Sequence, residues 1–191
     1  MIKRSSEPVD GFRSSPLRTV HNWAAWSLVR GDFIDPDGEA FTRTFVQSPG
    51  AVGVVAVRDE ADRRIVLVRQ YRPTLHQKTL EIPAGMRDQE GENSLVTAQR
   101  ELREEVGLEA DNWLRLGMQI SAVGITDSTV EVFLARNLRT VPHDRHGPEE
   151  RHMTIEEIPF DVAIQMVLDG RIQDAKTVTG LLLTERLLRG A

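Results

Sequence analysis

The sequence predicts an α+β fold, an α/β/α sandwich with a mixed β-sheet that follows an N-terminal β-hairpin. The run AVGVVAV (51–57) is almost wholly apolar, as in a strand buried on both faces. The segment SLVTAQRELREEV (94–106) carries apolar residues at helical spacing. Strand-like runs outnumber helical ones along the chain, and no internal repeat is visible.

The first fifty residues divide into a lead-in and a hairpin. Residues 1–18 are polar and rich in serine, proline and glycine, which is typical of a flexible segment. WAAWSLVRGDFI and EAFTRTFVQ are strand-like runs joined by the turn sequence DPDG. We expect a hairpin in residues 19–48, ahead of one main domain in residues 49–191.

The main domain should begin with strands 51–57, 63–72 and 79–83, followed by the helix 94–106. Further strands are expected at 114–120, 130–135 and 153–158, and helices at 160–168 and 174–188.

Capping residues define the ends of the helix 94–106. Asn93 or Ser94 suits its first turn, and Gly107 suits the left-handed residue past its end. The helical spacing predicts four core-facing side chains: Leu95, Ala98, Leu102 and Val106.

Composition excludes several classes of function. A chain of 191 residues with 28% charged residues suits one soluble domain with a short accessory segment. No apolar run approaches the roughly 20 residues of a membrane span. The net charge of −5 argues against nucleic-acid binding, and zero cysteines exclude disulfides and thiolate chemistry. We expect a cytoplasmic protein, since no apolar run of secretory length follows the N-terminus.

The stretch RELREEVG places Glu101, Glu104 and Glu105 on one helix face, where they repel one another. A solvated surface is one reading, because Arg100 can pair with Glu104. A bound cation is the other.

The sequence around this stretch resembles a known family. Glu92, seven residues and then RELREEVGL match the C-terminal half of the Nudix hydrolase signature. VRQYRP, LEIPAG and DGRIQDAKTVTGLLL look like its ADP-ribose pyrophosphatase branch. In one departure, six residues rather than five separate Gly85 from Glu92, an insertion that a loop tolerates.

The resemblance implies a metal site and a reaction. It assigns metal binding to Glu101, Glu105, the Ala84 carbonyl and, in some metal states, Glu104. Such hard oxygen ligands suit Mg²⁺, with Mn²⁺ as a substitute. Arg100 would orient a glutamate, with Glu104 the first choice. The expected reaction is water attack on a diphosphate.

Basic and aromatic side chains are candidates for substrate binding. Arg69 and Arg72 could clamp the diphosphate, and Arg43 is a weaker candidate of the same kind. Glu81 either contacts the ligand or supports the metal loop. The aromatic residues of the hairpin serve either adenine stacking or packing in the core or dimer. These aromatic residues are Trp23, Trp26 and Phe33.

The general base is expected in the segment GPEERHMTI, which occupies the place from which this branch takes its base. Glu149 is the first choice and Glu150 the second, while surface charge is the alternative role for both. Asp127 or a metal-bound hydroxide alone would be next.

The resulting hypothesis is a Mg²⁺-dependent Nudix hydrolase that converts ADP-ribose to AMP and ribose 5-phosphate. Another nucleotide sugar, NADH, or a non-catalytic ADP-ribose sensor are the alternatives. The loop VGITDS (123–128) lacks the proline and acidic end usual in this branch, which affects the sugar side of the substrate. The resemblance also implies a homodimer, with residues 19–48 as the dimerisation segment.

Overall fold

A computed structural model describes residues 7–59, 63–142 and 150–190 of the chain. As far as they are described, residues 1–50 with 120–129 form one compact unit and residues 51–119 with 130–191 form a second. In the described part of the chain, no helix is both long and apolar enough to cross a membrane.

The described part of the first unit is an antiparallel sheet of four strands. They are β1 (Arg13–Ser14), β2 (Arg18–Trp23), β3 (Trp26–Ile34) and β4 (Ala40–Gln47). β3 pairs with all three others, and its pairing with β4 is the predicted hairpin. The side chain of Asp35 closes the DPDG turn by accepting the N–H groups of Asp37 and Glu39.

Two details of this unit differ from the sequence prediction. The run beginning at Trp23 is not one strand, because Ala24 has a φ of 45° and the chain turns between Trp23 and Trp26. Residues 13–14 of the expected lead-in form β1, which pairs with β3.

The second unit contains a mixed sheet of seven strands among the described residues. The strands are β5 (Ala51–Asp59), β6 (Arg64–Arg72), β7 (Gln77–Glu81), β8 (Ala84–Met86), β9 (Leu108–Ile120), β10 (Thr129–Thr140) and β11 (Thr154–Pro159). Its main order is β11-β6-β5-β10-β9, with β7 paired to β6 and β8 to β5. β10 runs parallel to β5, whereas β6 and β8 run antiparallel to it.

Among the described residues, three helices of nine residues or more cover the two faces of this sheet. They are α1 (Ser94–Val106), α2 (Phe160–Leu168) and α3 (Ala175–Arg189). Along β5, Val52 and Val54 join the buried cluster that contains residues of α1, while Val55 and Val57 join the cluster that contains residues of α2 and α3. The predicted α/β/α sandwich and the strand buried on both faces are therefore confirmed.

The ends of α1 follow its capping residues. The side chain of Asn93 accepts the N–H of Val96 at 3.0 Å, and Gly107 adopts the left-handed conformation. Ala98 and Leu102 are fully buried as predicted, but Leu95 is 37% exposed, so its assignment to the core was wrong. Leu95 lies in the first helical turn, where periodicity alone does not show which residues the sheet covers.

α3 holds the chain that leads to β8. A side-chain hydroxyl of this helix, Thr177 Oγ1, accepts the N–H of Ile82 at 2.9 Å. Gly180 allows the helix to approach the sheet, because a Cβ there would lie 2.7 Å from Val55 Cγ2. The connection between β7 and β8 is thus fixed from the helix side.

Candidate active site

A cavity of about 380 Å³ in the second unit lies beside α1 and β8. Five carboxylates and two arginines line it together with backbone of β8, so it carries a net negative charge. Its central residues are Ala84, Gly85, Glu101, Glu104, Glu105 and Glu150. The structure therefore brings together the four residues that the sequence nominated for metal binding.

Glu105 is buried in this acidic cavity, and Glu101 is partly buried there. Burial, together with the charges of Glu101 and Glu150, raises the pKa of Glu105 to about 8. The Ala84 N–H, which donates to Glu105 at 3.0 Å, and the charge of Lys176 oppose this rise. Burial likewise raises the pKa of Glu101 to about 7, with the charge of Glu104 adding to the effect. The cavity is short of positive charge.

Arg100 supplies part of the missing charge. Its Nη1 lies 2.8 Å from Glu101 Oε1 and 3.0 Å from Glu104 Oε2, and its Nη2 lies 3.4 Å from Glu92 Oε2. The sequence prediction paired Arg100 with Glu104; in the structure the guanidinium contacts Glu101 as well as Glu104. Arg100 therefore fixes the direction of two carboxylates from within the helix that carries them.

Gly85 allows the backbone of β8 to lie against Glu101. A Cβ at this position would stand 1.9 Å from Glu101 Cδ and 2.1 Å from its Oε1. Any side chain at residue 85 would therefore displace the carboxylate. The position of the Glu101 carboxylate therefore requires a glycine at residue 85.

The donor set suits a hard divalent cation. Carboxylate oxygens are the ligands that Mg²⁺ and Mn²⁺ prefer, and a cation would relieve the repulsion that raises both pKa values. Among the described residues, no three acidic or histidine side chains already share a coordination centre. Instead, Glu101 and Glu104 contact Arg100, and Glu105 accepts the Ala84 N–H. Ligation by the Ala84 carbonyl stays a prediction.

Arg72 lines the acidic cavity and is held by Glu81. Arg72 Nε and Nη2 donate to Glu81 Oε1 and Oε2, each at 2.7 Å. Glu81 also accepts from Thr79 Oγ1 at 2.6 Å and from Lys176 Nζ. Because its side chain is 3% exposed and has four donor contacts, Glu81 fits the supporting role better than direct ligand contact.

The other two nominated arginines lie elsewhere. Arg69 pairs with Glu156 of β11, with Nε–Oε1 at 2.5 Å, and lines a separate cavity of about 550 Å³ that Arg72 shares. Arg43 belongs to the first unit, where its guanidinium carbon lies 4.9 Å from the centre of the Phe41 ring. Their role in substrate binding stays a prediction.

Of the two candidates for the general base, only Glu150 lies among the described residues. Glu150 lines the acidic cavity, and its charge contributes to the raised pKa values of Glu101 and Glu105. Glu149 lies outside the described residues. Asp127 lies in the first unit, where its Oδ1 accepts the N–H of Ser48 at 3.0 Å.

The aromatic residues of the N-terminal sheet stack on one another. The Trp23 and Trp26 ring centres are 6.3 Å apart, and those of Phe33 and Phe41 are 5.3 Å apart. These contacts fit the packing role, and adenine stacking stays a prediction.

Sequence reasoning did not assign roles to Lys176 and Gly85. Lys176 lies 95 positions from Glu81 in sequence, so no local pattern connects them. Gly85 belongs to LEIPAG, where the sequence shows a glycine but not the carboxylate that needs it.

The chain is similar in sequence to known proteins of one family. The NUDIX domain family matches residues 47–179. An ADP-ribose pyrophosphatase of Mycobacterium tuberculosis is 37% identical over 179 residues, covering 94% of this chain and 86% of the relative. An ADP-ribose pyrophosphatase of Bacillus subtilis is 37% identical over 142 residues, covering 74% of this chain and 75% of the relative.

A solved structure is similar over nearly the whole chain. The crystal structure of an ADP compounds hydrolase superposes with a TM-score of 0.81 at 22% identity, covering 97% of this chain and 98% of the other. At this identity the likeness concerns the fold.

Replacing Gly85 by alanine should weaken divalent-cation binding at least ~10-fold, the scale seen when a ligand loses its support. The new Cβ would overlap Glu101, which must then leave its place. Mn²⁺ titration calorimetry measures the affinity. Gly117→Ala is the matched control, because a Cβ there would meet only Leu183 Cδ1 at 3.7 Å. Equal Mn²⁺ affinities for Gly85→Ala and wild type would show that cation binding does not depend on the space that Gly85 leaves for Glu101.

The ion pairs of Glu81 should make stability depend on pH in the acid range. Burial opposes ionisation of Glu81, but Arg72 and Lys176 outweigh it and lower its pKa from 4.5 to about 2. A depressed pKa stabilises the folded state above pH 4.5, and this stabilisation is lost as the pH falls from 4.5 to about 2. At neutral pH the free energy of unfolding of wild type should therefore exceed that of Glu81→Gln by about 3 kcal/mol, the equivalent of the pKa shift.

Urea unfolding at neutral pH and near pH 3 measures this difference between wild type and Glu81→Gln. The difference should shrink in acid. A difference independent of pH would show that the Glu81 charge does not stabilise the fold.

Proposed function

The chain belongs to the Nudix hydrolase family, and on that premise we propose that it hydrolyses ADP-ribose to AMP and ribose 5-phosphate with Mg²⁺ as cofactor. The observation that carries the proposal is the cavity in which Glu101, Glu104, Glu105 and Glu150 meet Arg72. Carboxylates for a divalent cation and a guanidinium for phosphate are the groups needed at a diphosphate. The names of the two bacterial relatives support ADP-ribose as the substrate.

The glutamates of α1 are the proposed metal ligands, together with the Ala84 carbonyl. Once bound, the cation would neutralise the diphosphate and lower the pKa of the attacking water. Mn²⁺ has similar ligand preferences and should substitute. Arg100 holds Glu101 and Glu104 near this position from one side.

Arg72 is the proposed contact to the diphosphate. A guanidinium has five N–H groups, and Glu81 uses one on Nε and one on Nη2. Three N–H groups remain for phosphate oxygens. Arg69 and Arg43 remain secondary candidates, because neither lines the acidic cavity within the described residues.

Glu150 is the proposed general base, with Glu149 as the alternative. Glu150 lines the cavity that holds the metal ligands, so it can accept a proton from water without giving up a ligand. The remaining glutamates of the cavity are assigned to metal binding.

Another nucleotide sugar, NADH, or non-catalytic sensing of ADP-ribose are the competing functions. The loop VGITDS is the feature that favours a different sugar, because it departs from the ADP-ribose branch. The complete glutamate set argues against a sensor.

We also propose a cytoplasmic homodimer. Several large apolar side chains of the first unit are exposed, and a second copy would cover part of them: Val20, Trp23, Val123 and Ile125. A nucleotide substrate and the absence of cysteine suit the cytoplasm.

The substrate assignment is tested by AMP release in Mg²⁺ across ADP-ribose, other nucleotide sugars and NADH, measured chromatographically. ADP-ribose should give the highest kcat/KM. Glu105→Gln removes a ligand charge at nearly constant volume, so its turnover should collapse while circular dichroism stays unchanged. Faster hydrolysis of another diphosphate would favour the alternative substrates. Binding of ADP-ribose without turnover by wild type would favour a sensor.

Glu150→Gln should lower kcat by at least ~100-fold, within the range for loss of a general base. Mn²⁺ affinity should change little, because Glu150 is not assigned as a metal ligand and acts on Glu101 and Glu105 only through its charge. Glu157→Gln serves as a control on β11, where Glu157 pairs with Arg58. If Glu149→Gln carries the loss instead, the base is the neighbouring residue. If the double variant keeps its kcat, both are excluded.

Light scattering at micromolar concentration should give the mass of a dimer. Replacing Trp23 by serine removes part of the exposed apolar surface and should shift the equilibrium towards monomer. A monomeric wild type would refute the homodimer.

A further inference from the structure

Four charged side chains form a chain that ends at the acidic cavity. Lys176 of α3 contacts Glu81 Oε2 and lies 2.9 Å from Asp174 Oδ1. Glu81 holds Arg72 through two bonds of 2.7 Å. Arg72 is the member that also lines the acidic cavity. A residue of the C-terminal helix is thereby connected to the cavity through Glu81 and Arg72.

Burial differs within this chain: Glu81 is its most buried member and Arg72 its most exposed. The side chains of Glu81 and Lys176 are 3% and 12% exposed, whereas that of Arg72 is 41% exposed. The interaction between Glu81 and Lys176 is strong for a charge pair, because water screens buried charges less. A charge removed at Lys176 therefore acts on Arg72.

The charges of the four residues balance. Arg72 and Lys176 offset Glu81 and Asp174, so the group is neutral. Without Lys176 the group, which includes the Arg72 guanidinium proposed to contact the diphosphate, would carry a net charge of −1. Such a group would repel an anionic substrate.

The position of Lys176 is fixed by the fold. Asp174 caps α3 by accepting the Thr177 N–H at 3.0 Å, so its carboxylate is anchored to the helix. The same helix binds Ile82 through Thr177, just after Glu81. The contact between Lys176 and Glu81 is therefore held by α3 on one side and by the end of β7 on the other.

We propose that Lys176 is a positioning residue for the hydrolysis of the diphosphate. By sharing the Glu81 carboxylate, it keeps the charge of Arg72 available to phosphate and holds the guanidinium in place. This inference rests on the proposed function and extends it to a residue that does not line the acidic cavity. Lys176 acts through Glu81 and Arg72.

The test measures kcat and KM of Lys176→Gln, Lys176→Arg and Lys78→Gln on whichever diphosphate of the panel wild type hydrolyses fastest. Lys176→Gln should lower kcat/KM about tenfold or more, the scale of a charge-assisted contact, mainly through KM. Lys176→Arg keeps the charge and should recover most of the loss. Lys78→Gln is the matched control, because Lys78 lines the same 550 Å³ cavity and has no hydrogen bond to Glu81 among the described contacts.

A double-mutant cycle separates positioning from general stability. In an Arg72→Gln background, adding Lys176→Gln should change kcat/KM by less than about twofold, since the residue through which it acts is gone. Independent, additive losses would overturn the proposal, as would wild-type kcat/KM in Lys176→Gln. Thermal unfolding reports the folded fraction of each variant.

The remaining outcomes are also decisive. If Lys176→Gln does not fold, Lys176→Arg is the deciding variant. A loss of kcat/KM in Lys176→Arg as large as that in Arg72→Gln would overturn the charge argument. A KM near that of wild type would support it. A wild type that prefers another diphosphate to ADP-ribose would refute the proposed substrate and leave this test intact.

Discussion

The arrangement of the site follows from one constraint, the crowding of carboxylates into a cavity with too few positive charges. Burial and mutual repulsion raise the pKa values of Glu101 and Glu105 to about 7 and 8, respectively. A fold pays such a cost only where the groups are held in place by the rest of the structure. Gly85 provides the space for one carboxylate, and the Ala84 N–H binds another. β8 is short, but it carries both of these contacts.

Two basic groups approach this cavity, and they differ in origin. Arg100 lies on α1, in the same turn as the glutamates that it contacts. Arg72 lies at the end of β6 and depends on Glu81 and, through it, on α3. The first group compensates the charge of Glu101 and Glu104 from within one helix. The second joins a strand end, a buried carboxylate and the opposite helical layer, so the two faces of the sandwich both contribute.

Local signals predicted much of the fold. The bounds of α1 follow from Asn93 and Gly107, and the apolar run of β5 correctly predicted burial on both faces. The prediction failed for Leu95, since periodicity places residues on a helix face but does not say how far the partner layer extends. The turn after Trp23 was missed because two alanines carry no turn signal.

Long-range pairing accounts for the parts of the site that the sequence did not show. The glutamates of α1 are visible in one stretch because helical spacing brings them together. The partners Arg69 and Glu156 lie 87 positions apart, and Lys176 and Glu81 lie 95 apart. Only the sheet and helix packing brings these charges within contact. The sequence nominated Arg69 and Arg72 equally as candidates to contact the diphosphate, and their partners in the structure differ.

These partners also explain how an acidic chain can bind an anion. A net charge of −5 acts weakly at a distance in physiological salt, because exposed charges are screened over about 8 Å. Binding then depends on the charges within the cavity. There the glutamates attract a cation, and Arg72 stands beside them with its nearest carboxylate shared by Lys176. On the proposed function, the affinity for a diphosphate depends on these two local charge balances and not on the charge of the whole protein.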